Sequence, residues 1–142
     1  MRVFIDACCF FAAFRSPSGG LAVILELGRL GRLSIGATVR VVQETCKNIK
    51  NKIGQEAVAP FHRAIRAGLI EIVPTPEPKA IAKWGALTHA KDCHVLAGAI
   101  GSKVDCLVTL DRKHLLTAKV KGSFPIPVKN PADFLDAFLP GS

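Results

Sequence analysis

The stretches Arg2-Val3-Phe4-Ile5-Asp6 and Cys106-Leu107-Val108-Thr109-Leu110-Asp111 decide how this chain folds. Each is an apolar run too short for a typical helix, rich in β-branched or aromatic residues, that stops on an aspartate and passes into helix-like sequence. Runs of that kind read as strands buried on both faces of a parallel sheet. In open α/β sheets, ligands gather in the crevice beyond the carboxyl ends of the strands. An aspartate closing such a strand is therefore aimed at solvent and substrate.

Outward from these runs, strand and helix signals alternate. Cys9 to Phe14 reads as a short helical turn broken at Ser16-Pro17-Ser18-Gly19-Gly20, and a helix follows from about Leu21 to Leu30. Leu33 to Ala37 is a second strand. Thr38 is an N-cap for a helix whose apolar stripe is Val42, Cys46, Ile49 and Ile53. Gly54 breaks that helix, and another runs from about Glu56 to Ala67. Gly68 stops it before a third strand, Leu69 to Val73. Helical stretches are expected at Ile81 to Leu87 and Asp92 to Ser102. Ile126-Pro127-Val128 reads as an edge strand, where a proline that cannot donate to the ladder is tolerated, and a last helix begins near Pro131. The alternation implies an α/β fold over residues 1–142, one domain, with a central, mostly parallel sheet of four to five strands covered on both faces.

The chain carries a formal net charge of +8, which points toward a polyanionic partner such as nucleic acid. Its five cysteines are odd in number and form no C-x-x-C pair, which argues against a disulfide framework or a structural zinc site and suits a reducing cytoplasm. No run approaches the ~20 apolar residues needed to span a bilayer. Asp6 interrupts the apolar N-terminal stretch, which reads as a strand passing into a helix rather than as a secretory signal. The apolar residues around Phe10, Phe11, Phe14 and Leu21 to Leu30 exceed what one buried face needs. A homodimer or partner surface is expected there.

With 11 acidic residues in a basic chain, each can be weighed singly. Asp6, flanked by apolar residues, is either a structural turn or a functional group; burying an idle carboxylate costs several kcal/mol unless donors or a cation meet it. Asp111 is either an N-cap to a short helix after it or a second site carboxylate. Asp92 suits a helix N-terminus whatever its role, and Lys91 and His94 beside it are polar residues next to an otherwise apolar helix. Glu44 lies about 200° round from Val42. It reads either as a solvated residue paired with Lys47 or as a group over the crevice, since its helix follows the second strand. Asp105 precedes the fourth strand, at the opposite end of the sheet, and is structural. Converging carboxylates raise one another's pKa values, a conflict that a divalent metal removes. Oxygen ligands without clustered histidine or thiolate suit Mg²⁺ or Mn²⁺ rather than zinc. Metal-assisted hydrolysis of a phosphodiester is the chemistry such a crevice supports in a basic chain.

Val3-Phe4-Ile5-Asp6, Val41-Val42-Gln43-Glu44, Lys91-Asp92-Cys93-His94-Val95-Leu96-Ala97-Gly98-Ala99-Ile100 and Val104-Asp105-Cys106-Leu107-Val108-Thr109-Leu110-Asp111 resemble, in order and spacing, the successive signatures of PIN-domain nucleases. The Arg15-Ser16-Pro17-Ser18-Gly19 turn and Gly31-Arg32-Leu33 resemble a bacterial toxin-antitoxin branch of that family. The resemblance implies a PIN-like three-layer α/β/α fold and a Mg²⁺- or Mn²⁺-dependent ribonuclease acting on RNA, of the VapC toxin type silenced by an antitoxin protein. Carried over by position, Asp6, Glu44, Asp92 and Asp111 form the catalytic, metal-binding acids, with Thr109 as a supporting hydroxyl. The chain departs from the family at Asp6-Ala7-Cys8, where Asp-Thr/Ser-Asn is usual, so the asparagine's hydrogen bonds are expected to be missing at Cys8.

Other chemistries fit less well. A dehalogenase-like phosphatase needs an aspartate at position 8, and a phosphate-binding loop needs Gly-Lys-Ser/Thr. No Gly-x-Gly-x-x-Gly follows the first strand, and Cys8 or Cys9 as a nucleophile lacks an evident base. The competing reading is a catalytically weak PIN-like module that binds RNA or a partner protein, and Cys8 is the residue in its favour.

Overall fold

A computed structural model of the chain describes residues 1–16 and 18–139; Pro17, within the expected turn, and the last three residues of the expected domain lie outside them. The elements alternate as the two quoted stretches require. Strand β1 (Arg2–Ile5) is followed by helices α1 (Ala7–Arg15) and α2 (Gly20–Arg29), then by β2 (Ser34–Ala37) and α3 (Val39–Lys52). A 3-10 turn at Gln55–Val58 leads into α4 (Ala59–Arg66), β3 (Ile70–Ile72) and α5 (Pro78–Ala82). A second such turn, Ala90–Asp92, precedes α6 (Cys93–Gly101), β4 (Cys106–Val108), α7 (Ala118–Ser123), β5 (Val128–Lys129) and α8 (Pro131–Phe138).

The sheet has five strands in the order β3-β2-β1-β4-β5, and every neighbouring pair is parallel. Val3, Phe4 and Ile5 on β1 and Cys106, Leu107 and Val108 on β4 are all buried, as strands covered on both faces must be. Strand order reverses between β1 and β4, which opens the crevice at their carboxyl ends. Asp6 and Asp111 follow these two neighbouring strands.

Register fixes which helix covers which face. Val3 pairs with Ile35 and Phe4 with Gly36, so Ile35 lies on the Val3 face and Phe4 on the other. Helix α2 meets Ile35, for a Cβ at Gly28 would sit 2.7 Å from Ile35 Cδ1. Helix α6 meets Phe4 on the opposite face, where a Cβ at Gly98 would sit 2.8 Å from Phe4 Cζ and 3.0 Å from Thr38 Cγ2. Two glycines thus let one helix approach each face, giving three layers. Gly68, at φ +80°, takes the left-handed conformation that ends α4 and turns the chain into β3.

The structure corrects several local expectations; the helix expected over Ile81 to Leu87, for one, is α5 at Pro78–Ala82, with turns after it. The buried face of α3 is Val41, Thr45 and Ile49, while Val42 and Cys46 are half-buried and Ile53 is 46% exposed. Thr45 can be buried because its hydroxyl donates to the Val41 carbonyl at 2.8 Å. The buried face is therefore centred on Thr45 and shares Ile49 with the expected stripe, turned from it by about 70°. Strand β5 starts at Val128, with Pro127 just before it as a pure acceptor for the Leu107 N–H at 2.9 Å. Much of the apolar excess near the N-terminus goes into the chain's own core: Phe10 is fully buried, and Phe10 and Phe14 pack on Phe61 with ring centroids 5.5 and 5.4 Å apart. Phe11 keeps an accessible face beneath Arg15 and Lys52. Among the described residues no single helix is long and apolar enough to cross a membrane.

Candidate functional site

Beyond the carboxyl ends of β1 and β4 lies a cleft of about 500 Å³ lined by Asp6, Cys8, Glu44, Lys47, Asn48, Lys91, Asp92 and Asp111, with Ala7 and Val95. All four acids singled out in the sequence line it, brought there by four separate elements. Asp6 caps α1, and Glu44 lies in the second turn of α3. Asp92 caps α6, and Asp111 follows β4.

Asp6 is only 5% exposed. Burial pushes its carboxyl above the ordinary value, against hydrogen bonds that favour the charged form. Thr109 donates its hydroxyl to Asp6 Oδ2 at 2.5 Å, and the same hydroxyl oxygen accepts the Asp111 N–H at 3.0 Å. One side chain thereby ties the end of β1 to the end of β4. Asp6 Oδ1 accepts the Cys8 thiol at 2.9 Å and the Cys9 N–H at 3.4 Å. Position 8 thus bonds Asp6 through sulfur, because the first turn of α1 carries the thiol back over its own N-cap.

Asp111 divides its oxygens. Oδ1 accepts the N–H groups of Lys113 (3.1 Å) and His114 (2.9 Å), closing a turn where the N-cap reading expected a short helix. Oδ2 is left facing the His114 ring, 3.5 Å from Nδ1. Asp92 Oδ2 lies 3.0 Å from the same nitrogen without the alignment of a hydrogen bond, and it is a buried oxygen with no hydrogen-bond partner. Burial, and then the Asp111 charge, push Asp92 above the ordinary value of 3.8. Ligand atoms of Asp92, Asp111 and His114 all lie within 4.8 Å of one another. The sequence-based statement that no histidine joins the acids is therefore corrected: His114 does, three residues after Asp111, where the turn folds it back.

Glu44 does not pair with Lys47 as one reading expected. Its Oε1 lies 3.1 Å from His94 Nε2 and 3.5 Å from Arg40 Nε. Burial raises its pKa, but His94 and Arg40 outweigh that and hold the carboxyl below its ordinary value. The rotation of α3 explains the placement. Measured from the centre of the buried face at Thr45, Glu44 stands about 100° round, on the flank of the helix, where it meets His94 of α6. His94 is 2% exposed, and no aligned hydrogen bond satisfies either ring nitrogen, so the Glu44 charge is its main polar contact. Sequence reasoning noted His94 only as a neighbour of Asp92; a histidine inside the apolar run Cys93 to Ile100 was the available signal. Asp105 accepts the Arg2 N–H at 2.8 Å, at the far end of the sheet.

This donor set fits a divalent cation. Carboxylates converge from different elements, one buried oxygen lacks a hydrogen bond, and burial and the Asp111 charge raise Asp92 by more than His114, Lys91 and His94 offset. The raised Asp92 pKa fixes the sign of a stability effect. Its charge is disfavoured by folding, so the associated stability is present below pH 3.8 and is lost as the pH rises through the folded pKa. In metal-free protein, Asp92→Asn should therefore raise the unfolding temperature near neutral pH. That gain should shrink on acidification and vanish where aspartate is protonated in both states; thermal unfolding followed across pH checks it, and a gain that grows toward acid would contradict it.

No family model matches this chain, and no curated protein sequence does. Solved structures do. VapBC2 from Rickettsia felis, bound to a DNA fragment from its promoter, superposes with a TM-score of 0.63 at 17% identity, over 92% of this chain and 98% of that one. VapC20 from Mycobacterium tuberculosis, described as a Sarcin-Ricin loop cleaving toxin, gives 0.60 at 14% identity over 86% and 95%. FitAcB from Neisseria gonorrhoeae gives 0.60 at 16% identity over 92% and 98%. Identities this low carry the fold and nothing finer: the parallel three-layer α/β/α sandwich of this chain is the PIN-like fold that these structures share.

Proposed function

We propose that the protein is a metal-dependent ribonuclease that hydrolyses RNA phosphodiesters in the β1–β4 cleft, using Mg²⁺ or Mn²⁺, and that it acts as the toxin of a toxin-antitoxin pair. The observation that carries this reading is the convergence of Asp6, Glu44, Asp92 and Asp111 on one cleft in a chain of net charge +8. VapC20, a neighbour in fold, is described as cleaving the Sarcin-Ricin loop, which is the substrate class the reading needs.

Asp92 and Asp111 would hold the cation through their Oδ2 atoms, with Asp6 and Glu44 completing the acidic set. A divalent cation so held supplies a water of lowered pKa and offsets charge on the scissile phosphate. The chain's own groups do the rest. Thr109 fixes the orientation of Asp6 and, through the Asp111 N–H, the spacing of the two aspartates. His94 and Arg40 keep Glu44 ionised. Lys47 and Lys91, on the wall of the cleft, supply cations for flanking phosphates, which position the strand without reading its sequence.

Single-stranded RNA incubated with the protein should be cleaved in Mn²⁺ or Mg²⁺ and left intact in EDTA. Asp6→Asn and Asp111→Asn should each lower the rate at least about 100-fold. Salt-sensitive RNA binding with no turnover in any metal would replace this reading by the binding-module one.

A partner protein and a second copy of the chain belong to the same reading. They are supported by Val23 and Leu30 on or beside α2, which stay 42% and 57% exposed while Leu21, Ile24 and Leu27 of that helix are buried. Light scattering should give twice the chain mass of 15.2 kDa, and a single-chain mass would remove the homodimer.

A further inference from the structure

We propose that His114 is a nitrogen ligand of the cation held by Asp92 and Asp111, so that this site takes Mn²⁺ in preference to Mg²⁺. The inference rests on the reading of the cleft as a metal site and adds to it a ligand that the four acids do not include.

Geometry carries it. Two ligand atoms about 2.1 Å from a common ion stand about 3.0 Å apart at a right angle and about 3.4 Å apart at the tetrahedral angle. His114 Nδ1 is 3.0 Å from Asp92 Oδ2 and 3.5 Å from Asp111 Oδ2. His114 Nδ1 thus stands from each carboxylate oxygen at the separation of neighbours in one coordination sphere, and ligand atoms of all three residues lie within 4.8 Å of one another. Each is also uncommitted on the side that matters. Asp111 Oδ1 is taken up by the N–H groups of Lys113 and His114, which leaves Oδ2 free. Asp92 Oδ2 is buried with no hydrogen bond, an oxygen that an apposed cation would satisfy.

The histidine is held in place from three directions. Its N–H donates to Asp111 Oδ1 at 2.9 Å, and its carbonyl accepts the Thr88 hydroxyl at 2.6 Å. Its ring lies against His89, with centroids 5.1 Å apart. His89 is itself committed through Nδ1, which accepts the Lys91 N–H. A ring fixed this way loses little freedom on binding a metal. Carboxylates alone suit Mg²⁺ and Mn²⁺ about equally, whereas an imidazole nitrogen shifts the preference to the transition ion.

The competing arrangement is an imidazolium lying between the two carboxylates, which would exclude a cation. Titration calorimetry and pulsed electron paramagnetic resonance on the full chain, with Mn²⁺ as the probe, separate the two. The wild type should show nitrogen coupling to bound Mn²⁺. His114→Gln, checked for its unfolding temperature, should lose that coupling and bind Mn²⁺ at least about tenfold more weakly, with Mg²⁺ affinity changed far less. Wild-type Mn²⁺ binding without nitrogen coupling would overturn the proposal, and needs no variant to fold. Coupling that persists in His114→Gln, or Mn²⁺ affinity that is unchanged or higher there, would overturn it too. In those cases loss of binding in Asp92→Asn would leave the acidic site standing, whereas no Mn²⁺ binding by the wild type would sink both.

Discussion

Asp6 is a carboxylate buried at the end of the central strand, and the rest of the site is arranged around making that burial tolerable. A charge so withdrawn from water costs several kcal/mol unless donors meet it. The chain meets it with the Thr109 hydroxyl, the Cys8 thiol and the Cys9 N–H. Because Thr109 also accepts from Asp111 N–H, the same interaction locks the ends of β1 and β4 together at the point where strand order reverses. Core packing supports it from below: Phe4 can occupy the opposite face only because α6 carries glycine at position 98.

The acids share a division of labour. Asp111 commits one oxygen to the backbone of the following turn and leaves the other to the cleft. Asp6 lines the cleft while also capping α1 and binding Thr109, and its raised pKa reflects burial more than any neighbouring charge. Asp92 is the least compensated, with an unbonded oxygen and a like charge nearby. Glu44 lies at the partly exposed rim, where His94 and Arg40 balance it. The gradient from buried and hydrogen-bonded to open and ion-paired gives four chemically similar side chains four different jobs.

Much of this was legible in the sequence because the signals were short-range. Apolar runs closed by aspartates gave the central strands, Thr38 capped α3 as its position implied, and Gly68 ended α4. What was hidden required knowing which of two adjacent apolar residues faces inward. Val41 and Val42 serve equally well in a periodic pattern, and Thr45 counts as polar until its hydroxyl is seen to bond within its own helix. That ambiguity left Glu44 open between a solvated residue and a group over the crevice, and concealed its contact with His94. His114 was hidden for a different reason: its ring reaches Asp92 across 22 positions of chain only through a turn whose shape no local pattern encodes. The departure at Ala7-Cys8 looked like a loss because a thiol is a weak donor, yet its place in the first turn of α1 lets it reach the carboxylate.

The proposed role of the cleft requires its carboxylates to meet tightly enough to hold a divalent cation. Anomalous diffraction from crystals soaked in Mn²⁺ would locate that ion. A strong peak is expected about 2.1–2.4 Å from Asp92 Oδ2 and Asp111 Oδ2, in the cleft between β1 and β4. A fully soaked crystal with no peak in that cleft, or with manganese held only elsewhere on the surface, would contradict it.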